Sequence, residues 1–268
     1  MRIIRITKIE EDAIERISFL TIPQNSVEPS EYILPIYKGT VSGLPQNINA
    51  IVVTSDLQGV VNQGGENLLL GEVLADNLKL IFDIYFPTIE REKTIAFLCG
   101  DLYADLTKRG QSGNPINVWK KFASVFGWTI GIAGNHDNFD DNIEEIFSIK
   151  NTKILINEIF EIEGLQIGGL SGIIGRPDKN FRLQEAVYLK ALSNLLNKKP
   201  TILLTHLSPK ILEKEFQGDE RVTETLENGN ITTLFCGHSH WNTNQPYNLK
   251  NKTQILNADT KVFVLTKE

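Results

Sequence analysis

Only two cysteines, Cys99 and Cys236, occur in 268 residues, too few for a disulfide framework and in keeping with a reducing compartment. Each stands directly before the glycine of a short polar motif, where a small residue closing a buried strand accounts for it without any redox role. No apolar run approaches the ~20 residues of a membrane-spanning helix. The opening Met1-Arg2-Ile3-Ile4-Arg5-Ile6-Thr7-Lys8 turns acidic at Glu10-Glu11-Asp12 instead of continuing into the apolar region of a signal peptide. A cytoplasmic protein without a membrane segment is the expectation. Positive charge is short as well: 27 lysines and arginines stand against 33 acidic residues, for a net charge of −6 and a pI near 5.4. That excludes a general attraction to phosphate backbones, so no extended nucleic-acid surface is expected, although a local cationic patch or metal ions would still hold a phosphate. Repeats and low-complexity segments are missing, and nothing in the sequence sets the oligomeric state.

With 41% hydrophobic residues the chain buries a substantial core, and its length suits one main domain with an added N-terminal piece. Residues 1–45 alternate β-rich stretches (Ile3–Ile9, Ile17–Ile22, Tyr32–Tyr37) with Pro23, Pro29, Pro35 and Pro45, which reads as a small extra sheet or a packed arm. Such an extension covers a sheet edge, mediates dimerisation or narrows a cleft. From residue 46 to 268 the pattern changes to short apolar strands separated by amphipathic helices, the signature of a layered α/β domain. The strands are Ile51–Thr54, Thr94–Leu98, Thr129–Ala133, Lys153–Phe160, Leu165–Leu170, Thr201–Thr205, Ile231–Cys236 and Val262–Leu265. Leu70, Val73, Leu74, Leu78, Ile81 and Tyr85 recur at helical spacing and predict one helix over ~68–86. Further helices are expected after Asn114-Pro115, around Tyr188–Leu196, and from Ser208-Pro209 and Asp219; a hairpin is expected over Glu158–Gly168.

Histidine is scarce too, and all four fall in short motifs beyond apolar runs: Gly134-Asn135-His136-Asp137, Thr205-His206 and Gly237-His238-Ser239-His240. Imidazole is the commonest neutral metal ligand and the usual general acid near pH 7, so this distribution points to a metalloenzyme. Asp56, Asp101, Asn135, His206 and His238 each follow an apolar strand, and ligands of open α/β sheets bind outside the carboxyl ends of strands. Gly100, Gly134 and Gly237 provide sharp exits from those strands. Taken alone, His206 reads as a structural histidine, Asp56 as a cap and Asn135 as a turn former; together they read as a site.

The ordered series Asp56-Leu57-Gln58, Gly100-Asp101, Gly134-Asn135-His136-Asp137, Thr205-His206 and Gly237-His238-Ser239-His240 resembles the calcineurin-like metallophosphoesterases over residues ~48–241. The resemblance implies a layered sandwich of two central mixed β-sheets flanked by helices, here with the small β-rich N-terminal extension. It implies two divalent ions, Mn²⁺ first and Fe, Zn or Mg as alternatives, roughly 3.5–4 Å apart. Asp101 would bridge them, with Asp56, position 58 and His240 completing one site and Asn135, His206 and His238 the other. A water between the ions would lose its proton and attack phosphorus in line. His136 would stabilise the phosphoryl charge and protonate the leaving oxygen, with Asp137 orienting its imidazole. The implied activity is hydrolysis of a phosphomonoester or phosphodiester of a small phosphorylated substrate.

Two positions depart from the family pattern. The family usually has histidine where this chain has Gln58, whose amide oxygen is a weaker, harder donor. Either Gln58 coordinates through oxygen and favours Mn²⁺ or Mg²⁺, or it holds a water that does, or the first site stands vacant in a catalytically weakened relative acting as an interaction module. His136 favours the enzyme, since a scaffold needs no proton donor. Ala104 occupies a place where many relatives have aspartate, and Asp105 receives no role. Among the cations Arg109, Arg176, Lys179 and Arg182, Arg182 is the preferred phosphate contact, with a solvated loop the competing explanation. Trp119, Trp128 and Trp241 read as packing, Trp241 being notable for its place beside His240. The polar loops Gly59–Asn67 and Leu102–Asn114 are expected to influence substrate choice.

Overall fold

The computed structural model describes residues 3–24, 26–139 and 143–268. In chain order its elements are β1 (Arg5–Ile9), β2 (Glu15–Thr21), β3 (Ser30–Ser42), β4 (Ala50–Ser55), β5 (Val60–Gln63), β6 (Glu66–Leu69), α1 (Leu70–Tyr85), β7 (Thr94–Leu98), α2 (Ile116–Val125), β8 (Trp128–Gly131), α3 (Ile143–Ser148), β9 (Thr152–Ile154), β10 (Asn157–Ile162) and β11 (Leu165–Leu170). There follow β12 (Ile173–Ile174), β13 (Arg182–Leu183), α4 (Glu185–Asn197), β14 (Ile202–Leu207), α5 (Glu220–Glu227), β15 (Thr233–Gly237), β16 (Tyr247–Asn248), β17 (Gln254–Asn257) and β18 (Lys261–Lys267).

Two large mixed sheets form the centre. One runs β6-β5-β2-β3-β18-β4-β7-β8-β9, with β1 paired to β3, and the other runs β10-β11-β14-β15-β17-β16. Strand residues alternate between faces, and here both faces are buried, which explains why the strands read as continuous apolar runs. In β4, Ile51 and Val53 point to the second sheet while Val52 points to the helices. The space between the sheets is filled by Ile51, Val53, Phe97, Ile130 and Phe263 from one side and Ile167, Leu204, Phe235 and Leu256 from the other. The Phe97 and Phe235 rings meet there at 5.7 Å. Leu74, Leu78, Phe82, Trp119 and Phe122 of α1 and α2 cover the outer face of the larger sheet. Tyr188, Leu192, Leu195, Val222 and Leu226 of α4 and α5 cover that of the smaller. Each such side chain contributes about 1.5–3 kcal/mol of hydrophobic stabilisation.

The expected helices after Asn114 and Asp219 start where the capping chemistry places them: Asn114 Oδ1 accepts from Ile116 N at 3.0 Å and Asp219 Oδ1 from Arg221 N at 2.9 Å. Ser208-Pro209 does not start a helix; Ser208 and Pro209 instead meet Asp219 across a strand-like contact. Strands β10 and β11 form the expected hairpin, turned at Glu163 and Gly164, both with positive φ. The stretch Lys153–Phe160 is not one strand. It ends β9 at the edge of the larger sheet and begins β10 at the edge of the smaller one, because Leu155 turns into the core between them. The polar segment Gly59–Asn67 is a hairpin, β5–β6, turned at Gly64-Gly65. Strands β1–β3 do not make a sheet of their own: β3 pairs in parallel with β18, so the N-terminal residues widen the main sheet.

Strands β4, β7, β8 and β9 run parallel, as do β11, β14, β15 and β17, and their carboxyl ends come together along one rim. Ser171 ties the two sheets just behind that rim, accepting from Ala133 N at 2.9 Å and donating to Leu155 O at 2.7 Å. Replacing Ser171 with alanine leaves a buried amide and a buried carbonyl unpaired. Equilibrium unfolding in urea should show a loss of about 2 kcal/mol, and a loss near zero would mean the tie is not structural.

Candidate metal centre

Three of the motifs leave their strands in a backbone conformation that the strand itself does not allow. Asp56, Asp101 and His238 all have positive φ (55°, 55° and 67°), which costs about 1 kcal/mol or more outside glycine. Gly100 and Gly134 are required by crowding: a Cβ on Gly100 would lie 2.4 Å from Gly134 N and 2.9 Å from His206 Nδ1, and one on Gly134 would lie 2.1 Å from Asp101 Oδ1. Three loops distant in sequence are thereby pressed into one another.

Main-chain donors hold the carboxylates in place. Asp101 Oδ1 accepts from His136 N at 2.8 Å, and Asp56 Oδ2 accepts from His238 N at 2.9 Å and from Ser55 Oγ at 2.7 Å. Asp137 serves a different purpose from the one expected of it. Its Oδ2 accepts from Asp101 N and Gly134 N and its Oδ1 from Leu102 N, each at 2.8 Å, so both oxygens are engaged by backbone amides and clamp the loop after β7 to the loop after β8. The His136 imidazole is placed instead under the 102–114 loop, where a Cβ on Gly110 would lie 3.3 Å from its Cε1, and its buried Nδ1 has no hydrogen-bond partner among the described residues.

Asp101, His206 and His238 bring one potential ligand atom each within 4.8 Å of one another. The fully buried His206 directs Nδ1 to Cys99 O at 2.8 Å, which sets that nitrogen as the donor and leaves Nε2 facing Asp101 Oδ2 at 3.2 Å without the alignment of a hydrogen bond. Asn135 Oδ1 is likewise buried with no hydrogen-bond partner among the described residues. An unpaired imidazole nitrogen and an unpaired amide oxygen, both buried, are costly unless something absent from the protein satisfies them. Divalent metals accept such nitrogen and oxygen donors, so the residues fit the group.

The electrostatics agree. Burial and the nearby Asp259 carboxylate raise Asp56 well above the usual carboxylate range. Burial opposes ionisation of Asp101, but His206 and His136 hold it down at about 2. Burial and the Asp101 charge push Asp137 up to about 6 against its amide donors. Burial would lower His206, yet Asp101 and Asp56 raise it to about 10; His238, under burial and beside His206, falls to about 4 and is a neutral imidazole. Asp101 is thus held ionised beside His206, and His238 is left as a neutral nitrogen donor.

Gln58 reaches the same group, donating from Nε2 to Asp101 Oδ2 at 3.3 Å. His240 is the outlying member, 61% exposed, with Nδ1 3.6 Å from Asp259 Oδ2. Asp56, Gln58, His136, His238 and His240 line a cleft of about 740 Å³. Its far wall comes from the N-terminal strands, through Phe19, Ile22, Pro23 and Tyr32, and from the 102–114 loop, through Tyr103 and Arg109. Of the cations considered from sequence it is Arg109 that lines this cleft; Arg182 lies in β13, packed on Gly175. Trp241 is a packing residue, stacked on Phe216 at 4.6 Å and donating to Gln217 O. Cys99 and Cys236 are buried free thiols, the second pushed up to about 12 by burial.

Asp259, which also lines the cleft, is absent from the sequence motifs. It stands just past β17, a four-residue strand with polar ends that the search for apolar runs does not mark, so the signal behind the other site residues does not reach it.

A sequence model of the calcineurin-like phosphoesterases matches residues 50–242, and the chain belongs to that family. The family binds divalent metals, and Asp101, His206 and His238 bring together ligand atoms of the kind such ions take. No curated protein matches the chain. Among solved structures it is similar to the protein TT1561 of Thermus thermophilus, with 16% identity, 80% of this chain and 90% of that one covered, and a TM-score of 0.58. A hypothetical protein from Thermus thermophilus shares 14% identity over 78% and 75% of the two chains, with a TM-score of 0.46. The protein of unknown function AQ665 from Aquifex aeolicus shares 13% over 80% and 95%, with a TM-score of 0.36. The likeness to TT1561 shows the fold alone.

If Asp137 is a clamp, Asp137→Asn should lower unfolding stability by about 3 kcal/mol, because an amide offers one acceptor where three main-chain donors converge. A residue that merely orients an imidazole would leave the unfolding midpoint within error of wild type.

Proposed function

We propose that the protein is a metal-dependent phosphoesterase with two divalent ions, Mn²⁺ foremost, acting in the cytoplasm on a small phosphorylated substrate. The observation that carries this reading is the pair of buried, unpartnered donors, His206 Nε2 and Asn135 Oδ1, beside the Asp101 carboxylate in a chain of this family. Asn135, His206 and His238 with one oxygen of Asp101 would hold one ion, and Asp56, His240 and the remaining Asp101 oxygen the other. When bound, such a pair supplies Lewis acidity, making a water more acidic and neutralising phosphoryl charge.

The chain's own residues account for the rest. Asp101, fixed by His136 N, holds the two positions together. His136 lines the cleft, which supports the reading of it as the proton donor to the leaving oxygen. Arg109, in the loop that covers His136, offers the lining a guanidinium for phosphate oxygens. Phe19, Tyr32 and Tyr103 give the non-phosphate part of the substrate an aromatic surface. A cleft of about 740 Å³ suits a molecule of nucleotide size rather than a duplex. In the acidic chain, Arg109 is the only lysine or arginine among the described lining residues, which supports the same view.

The test is Mn²⁺-dependent hydrolysis of aryl phosphate monoesters and diesters by metal-stripped protein. Turnover should appear only with metal and should rank the two ester classes. His136→Ala should keep its metal, measured by elemental analysis, and lose activity by roughly 10²–10⁴-fold. Silence with every divalent ion tried would favour a non-catalytic interaction module; full turnover by His136→Ala would remove its acid role.

A further inference from the structure

We infer that Asp259 is a ligand of the first metal ion, an oxygen donor standing in for the imidazole that this chain lacks at position 58; the inference rests on the proposed metal centre.

The geometry begins with the strands. Ser55 and Asp259 are paired across neighbouring strand ends, and Thr260 N donates to Ser55 O at 3.1 Å, so the 257–260 turn is fastened beside Asp56. Asn257 reinforces it, donating from Nδ2 to Ser208 Oγ at 3.0 Å and to Ser239 O at 2.9 Å while its Oδ1 accepts from Asp259 N at 3.2 Å. The turn is thus locked to the same loop that carries His238 and His240. Thr260, a β-branched residue, takes a φ of 51°, a strained choice that aims the preceding carboxylate into the cleft.

The Asp259 carboxylate is almost buried, 12% exposed, and its oxygens meet two groups: Oδ1 accepts from Thr260 Oγ1 at 2.8 Å and Oδ2 faces His240 Nδ1 at 3.6 Å. The nearby ammonium does not neutralise it directly, because Lys261 Nζ donates to the main-chain oxygens of Trp241 and Asp259. Its carboxylate lines the same cleft as Asp56. Ligand atoms bound to one small divalent ion at ~2.1 Å stand about 3.0–4.2 Å apart, and the 3.6 Å between Asp259 Oδ2 and His240 Nδ1 falls in that interval.

Gln58 supports the same assignment from the other side. Its amide nitrogen, which has no lone pair to give a metal, is turned to Asp101 Oδ2 at 3.3 Å, so position 58 steadies the shared carboxylate instead of replacing the imidazole. A first site of Asp56, Asp101, Asp259 and His240 is anionic and oxygen-rich, a donor set suited to Mn²⁺ or Mg²⁺.

The measurement is Mn²⁺ stoichiometry and affinity by isothermal titration of metal-free protein, with thermal melting as a check of folding. Wild type should take up two ions per chain. Asp259→Asn should keep one and weaken the other at least tenfold, and adding Gln58→His to that variant should restore the second ion. Asp259→Ser reads the same quantity should the asparagine variant fold poorly. Two ions bound with unchanged affinity by the Asp259 variants would overturn the inference and leave the metal centre standing. Wild type binding no ion would overturn both, and wild type binding a single ion would overturn the role of Asp259.

Discussion

The arrangement of this site depends on the capture of main-chain amides by buried carboxylates. Asp137 takes three amides from two strand-end loops, Asp101 takes one from the second of them, and Asp56 takes one from the loop after β15. Each bond fixes an oxygen at the end of the sandwich, and most of them join segments that the sequence keeps far apart. Among the described residues, Asn135 Oδ1 and His206 Nε2 are left buried without a hydrogen-bond partner at this end of the molecule.

The sandwich makes such capture possible. Parallel strands from both sheets end on one rim, so side chains at or just past their carboxyl ends come together without any long loop reaching across. Ser171 and Leu155 hold the sheets at the spacing the rim needs. The N-terminal strands add the outer wall: by pairing with β18 they bring Phe19 and Tyr32 to the cleft, and an apolar surface is presented opposite a charged one.

Most of the fold was legible because the central strands β4, β7, β14 and β15 are buried on both faces and the long helices α1 and α4 show their apolar stripes. The departures have physical causes. Lys153–Phe160 reads as one strand since nothing in its composition marks the point where Leu155 crosses between sheets. Gly59–Asn67 reads as a loop because its hairpin is short and polar, yet Gly64-Gly65 supplies the turn. Three of the motif residues, Asp101, His206 and His238, lie close together, with His206 fully buried. Asp137 was harder to place, since a carboxylate next to a histidine in sequence need not face it in space, and only the folded loops reveal three amides converging on it. Asp259 and the aromatic wall escaped notice because they lie outside any spaced motif.

Anomalous diffraction from crystals of the protein grown with Mn²⁺ tests the dinuclear centre most directly. Two peaks about 3.5–4 Å apart are predicted, on either side of the Asp101 carboxylate, one contacting His206 and His238 and the other on the Asp56 side. A single peak, or peaks that leave Asp101 and His206 Nε2 untouched, would contradict it.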